Sequence, residues 1–146
     1  MRILALFLLL GFACNQRLYA KELELTVITA WNRSVEFAQD FQNEFVKPFN
    51  DQASGQVNIN YLGGPEVIPQ RQMVYALRRG VVDMYFGAAT YMLGLAPEAD
   101  AFLASSITPQ EARSNGAIKA ISKVWTEKLN AKFLGWHQTG PMLHIF

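Results

Sequence analysis

Few groups in this chain could carry covalent or metal chemistry, and their spacing suits none of it. The histidines His137 and His144 stand near the C-terminus without the HExxH spacing that sets two imidazoles on one helix face, and the lone cysteine, Cys14, is far from both. Ser105 and Ser106 lie outside any GxSxG elbow and read as polar loop residues. Gly63-Gly64-Pro65 falls between a strand-like and a helix-like stretch, as a phosphate loop does, but lacks the Lys-Ser/Thr pair that would grip phosphate and magnesium. No GxGxxG follows a strand. The residues therefore predict no catalytic group, no cofactor and no metal site, and a protein that is not an enzyme.

Recognition chemistry is better supplied. Polar and aromatic residues follow each apolar, strand-like stretch: Trp31, Asn32 and Arg33 after the first, Glu66 after the second, Ala89 and Tyr91 after the third, and His137 after the last. Trp and Tyr offer an apolar body with a polar tip, and Arg and Glu offer charge. Each also has a plainer use. Trp31 can cover the core, Arg33 can be a solvated charge, and Glu66 can complement a helix dipole from its first turn. Their shared position is what argues for a binding site, because ligands of open α/β sheets sit outside the carboxyl ends of the strands.

The elements that must place these residues follow from periodicity. Leu23 to Thr29 alternates and is rich in β-branched residues, which predicts a strand. Ser34 is a candidate cap for a helix carrying Phe37, Phe41 and Phe45, with Pro48 marking its end. Gln56 to Tyr61 reads as a second strand. Glu66 to Arg79 reads as a helix with Pro69 in its first turn, and Val81 to Gly87 as a third strand. After an irregular stretch, Thr108-Pro109-Gln110-Glu111 forms a capping box for a helix with Ile118, Ile121, Val124, Trp125 and Leu129 on its apolar face. Lys132 to His137 is a fourth strand candidate. The order β-α-β-α-β-α-β predicts an α/β fold, a mostly parallel sheet flanked by helices.

Composition narrows the class further. The 146 residues are 51% hydrophobic and 17% charged, which supports one compact core and argues against disorder. The formal charge is +1, yet the first twenty residues hold Arg2 and Arg17 and no acid, so the remainder is slightly acidic. No basic stripe with interleaved aromatics appears, which speaks against nucleic acid as a partner. Arg2, the apolar run from Ile3 to Cys14 and the polar step to Ala20 have the layout of a secretory signal peptide. That run is too short for a bilayer, which takes about 20 apolar residues. The expectation is export to the periplasm, with residues 1–20 as signal peptide and 21–146 as one α/β lobe. Cys14 reads as apolar filler of the signal, with lipidation as the other possibility.

The stretch YLGGPEVIPQRQMVYALRRGVVDM, from Tyr61 to Met84, resembles the periplasmic solute-binding subunits of tripartite ATP-independent (TRAP) transporters, the DctP-like family. The signal-like leader, the first strand followed by Trp31, and the late helix leading into AKFLGWHQTG add to the resemblance, which covers most of residues 21–140. It implies a first lobe of a two-lobe periplasmic-binding-protein-like fold, closing by a hinge on a small organic acid. It further implies delivery of that solute to two membrane subunits, with an ion gradient driving uptake. Glu66 would then sit at the cleft, with Trp31 and Asn32 on the first loop and Tyr91 after the third strand. Two departures stand out. The second lobe is absent from this sequence, and Pro141-Met142 follows Gly140 where many members place a carboxylate-pairing arginine. Rival readings are an ABC-type or sensor-associated ligand-binding protein and, at a further remove, an envelope α/β enzyme using His137.

Overall fold

The computed structural model describes residues 21–102 and 104–136. The signal-peptide reading of residues 1–20, Cys14 within it, His137 and the residues after it lie outside them. Three strands form one all-parallel sheet in the order β2-β1-β3, namely β1 (Leu23–Thr29), β2 (Val57–Gly63) and β3 (Met84–Phe86). The α/β expectation is met, with helices on both faces.

Alternation along β1 explains the layering. Val27 points into one layer with Phe41, Val46, Ile59 and Tyr61. Its neighbour Ile28 points into the other with Met73, Ala76, Leu77 and Val82. A central parallel strand buried on both faces needs this apolar pair, and both side chains are wholly buried. A third cluster joins Val74 and Met92 to Ile121, Trp125 and Leu129.

The first helical region runs further than Pro48 suggested. It comprises α1 (Glu36–Asp40), a π-helical stretch (Phe41–Val46) and α2 (Lys47–Gln52). Pro48 sits in the first turn of α2, where a residue without an N–H is tolerated, so the chain stays helical. Phe41, Phe45 and Phe49 stack in sequence along it at 5.3 and 6.1 Å. The cap is Val35 rather than Ser34, and its side chain makes no capping bond.

Helix α3 (Gln70–Arg78) begins later than the expected Glu66. Pro69, which disfavours helical backbone at the residue before it, is the cap, and Glu66 lies in a turn closed by the Val67 N–H on the Gly64 carbonyl at 2.9 Å. Strand β3 is shorter than the expected Val81 to Gly87. The capping box is present as expected and starts α4 (Pro109–Ser114). However, Gly116, at φ 87°, breaks the chain before α5 (Ala117–Leu129), so the expected single helix is two.

The fourth strand is a correction. Residues 132–136 form no ladder with β3. Asn130 ends α5 in left-handed backbone, and Gly135, at φ 143°, interrupts the extended run. Phe133 and Trp136 instead pack their rings on Phe102 at 6.1 and 4.7 Å. Aromatic packing holds this segment where ladder bonds were expected.

Candidate functional site

Going from β1 to β2 and then across to β3 reverses the strand order, and in such sheets the crevice for a ligand opens at the carboxyl ends flanking that reversal. The loops after β1 and β2 meet there at van der Waals range. A Cβ on Gly64 would overlap the Trp31 carbonyl oxygen and stand 2.7 Å from its carbon. Only glycine lets the second loop lie on the first, and this accounts for half of the Gly63-Gly64 pair. Gly63, at φ 125°, accounts for the other half.

Arg33 fastens the two loops. Its Nη2 donates to the Tyr61 carbonyl at 3.4 Å and to that of Leu62, and its guanidinium lies 5.0 Å from the centre of the Tyr61 ring. Leu62 is the residue skipped in the β1–β2 register, where Val27 faces Tyr61 and Ile28 faces Gly63. Such a bulge re-aims the chain beside a site. The Arg33 Nε is 3.6 Å from Glu66 Oε1, with both side chains over a third exposed, so this ion pair contributes at most about 1 kcal/mol. Glu66 Oε1 also accepts the Gly64 N–H at 2.9 Å. Burial pushes the Glu66 carboxyl up, but backbone N–H donors and the Arg33 charge outweigh it and hold the group below its ordinary value.

Beneath them runs a second tier. The Thr29 hydroxyl, fully buried, donates to the Trp31 carbonyl at 2.7 Å and lies 3.0 Å from the Tyr61 hydroxyl. Gln70 Nε2 donates to the Ala30 carbonyl at 3.0 Å. Trp31 is half-buried, with its ring 5.2 Å from Phe37 and 5.5 Å from Phe86. Phe37 is 49% exposed, so the pair presents an apolar face at the crevice.

The fold thus brings Trp31, Arg33 and Glu66 into one contiguous group, with Asn32 exposed beside them. Ala89 and Tyr91 lie on a 3-10 turn (Ala89–Met92) after β3, at the same sheet edge. Tyr91 is 41% exposed, and among the described residues no hydrogen bond, ion pair or ring contact joins it to Trp31, Arg33 or Glu66. His137 lies outside the described residues. Sequence reasoning missed Thr29, Tyr61 and Gln70, which position the loops, and Tyr85, discussed below. The polar groups at the ends of two alternating strands were the available signal for Thr29 and Tyr61.

An open groove of about 580 Å³ lies along the other side of β2, lined by Asn43, Lys47, Asn50, Asp51, Asn58 and Asn60, among others. Asn50 uses its amide on the Ile59 N–H and carbonyl at 2.7 and 2.9 Å, and Asn60 donates to Glu24 at 3.0 Å. These residues shield an edge strand. We regard the groove as a solvated flank.

No protein-family model matches the chain. Among the described residues no helix is long and apolar enough to cross a membrane, and no group of three His, Cys, Asp or Glu side chains is placed to hold a metal ion.

Proposed function

We propose that the chain is the first lobe of an extracytoplasmic solute-binding subunit of the TRAP type, which captures a small organic acid in the periplasm and delivers it to membrane subunits. The observation that carries this reading is the direct docking of the β1 and β2 loops at the carboxyl edge of a parallel sheet, with Trp31, Arg33 and Glu66 in one group. Such a site needs an apolar platform and a few oriented polar groups. Trp31 and Phe37 supply the platform. Arg33 is held by its Nη2 on two carbonyls, which orients the rest of a half-exposed guanidinium for a carboxylate. Glu66 is a positioning residue, fixing Arg33 and the Gly64 backbone. Tyr91 forms the rim.

The test is a titration of the full chain with sodium pyruvate and sodium succinate, read by tryptophan fluorescence. A saturable change that disappears in Trp31→Phe and weakens in Arg33→Gln is expected. A panel of small carboxylates that gives no saturable change contradicts the proposal.

A further inference from the structure

Tyr85 is the central residue of β3, and its side chain leans along the strand toward the carboxyl edge. Its ring packs against both the Ile28 and the Trp125 clusters. Its hydroxyl lies against Gly87 and Ala30, since a Cβ built on Gly87 would overlap the hydroxyl and stand 2.6 Å from the Ala30 Cβ. The oxygen is therefore at the tips of β1 and β3, where the strand order reverses. It is buried, and among the described residues no partner accepts from it or donates to it.

We infer that Tyr85 is a specificity-determining residue of the same site, its hydroxyl being the donor that meets an acceptor oxygen of the ligand. This rests on the solute-capture reading above. A buried hydroxyl without a partner loses its hydration for no return, so such a group in a folded chain calls for an explanation. Its position at the strand-order reversal supplies one. A Cβ at position 87 would meet both the hydroxyl and the Ala30 Cβ, so glycine there is what lets the hydroxyl reach this edge. Burial, and secondarily Tyr91, push the hydroxyl well above its ordinary pKa, so it stays protonated and a donor at any physiological pH. Tyr91 stands on the 3-10 turn that follows β3 at the same edge of the sheet. A neutral donor of this kind accepts a carboxylate, keto or hydroxyl oxygen and discriminates against an apolar group in its place.

The test compares Tyr85→Phe with the parent full chain in two measurements. The first is thermal unfolding without ligand. Because the hydroxyl has no partner, removing it should leave Tm unchanged or raise it. A fall of more than about 3 °C, the size expected for deleting a made hydrogen bond, would show an internal partner and overturn the inference. The second is the pyruvate and succinate titration, in which the variant should bind about tenfold or more weakly. Equal binding by parent and variant overturns the role of Tyr85 alone. Absence of binding by the parent overturns the solute-capture reading, and this inference with it.

Discussion

Replacing Gly64 by alanine tests the joint on which the site depends. The added Cβ meets the Trp31 carbonyl oxygen and carbon and lies 3.1 Å from the Thr29 carbonyl oxygen. These are main-chain atoms anchored by the Thr29 hydroxyl and by β1, so no rotamer change can clear them. Overpacking typically costs about 1–3 kcal/mol, and a backbone obstacle puts Gly64→Ala near the top of that range. For a domain of this length, about 3 kcal/mol corresponds to a fall in Tm on the order of 10 °C. The control is Gly94→Ala, where no heavy atom stands within 4 Å of the new Cβ, and a change inside about 0.5 kcal/mol is expected. The assay is urea unfolding followed by far-ultraviolet circular dichroism, with the carboxylate titration repeated on folded material. Gly64→Ala should destabilise the chain and abolish the tryptophan response. A Gly64→Ala variant as stable as Gly94→Ala would refute the docking of the two loops.

The remaining predictions concern the supports. Asn50→Ala leaves the Ile59 N–H and carbonyl without partners and should lower the unfolding free energy by about 1–3 kcal/mol, measured by urea denaturation. Thr108→Ala removes the capping box of α4 and should cost about 1 kcal/mol, seen as faster hydrogen exchange over residues 109–114. Asp83 accepts from the Thr26 N–H and hydroxyl, each at 2.8 Å, which hold its carboxyl below the ordinary value of 3.8. A depressed folded-state pKa means stability that is present above the unfolded value and lost as pH falls through the folded one. The stability difference between the parent chain and Asp83→Asn should therefore be flat at neutral pH and shrink as pH drops below 3.8. Thr26→Val should return the Asp83 titration, followed by carboxyl carbon NMR, toward that value.

The sequence made the architecture legible wherever local and tertiary preferences agree. Leu23 to Thr29 alternates, is rich in β-branched residues and has a C-terminal half buried on both faces, so its strand is found at the expected residues. Thr108 to Glu111 carries its cap in four consecutive residues. Boundaries failed where one residue's rule depended on its surroundings. Pro48 ends an ordinary helix, but a preceding π turn carries this one through it. Lys132 to Trp136 has strand composition, yet a left-handed Asn130, a positive-φ Gly135 and ring contacts to Phe102 decide its course. The site was half legible. Residue types at strand ends pointed to Trp31, Arg33 and Glu66, but not to the partners that consume much of the Arg33 and Glu66 hydrogen-bonding capacity. Those partners are backbone carbonyls and amides, which no side-chain pattern reveals. Tyr85 was hidden for a related reason, since no side-chain pattern reveals that its buried hydroxyl has no partner among the described residues.

The most direct test of the central claim is amide chemical-shift mapping of the isotope-labelled full chain titrated with sodium pyruvate and sodium succinate. Saturable shifts confined to residues 30–33, 63–67 and 85–91, the loops at the carboxyl edge of the sheet, are expected. Shifts centred on the groove between Gln42 and Asp51, or no saturable shifts with either salt, would contradict it.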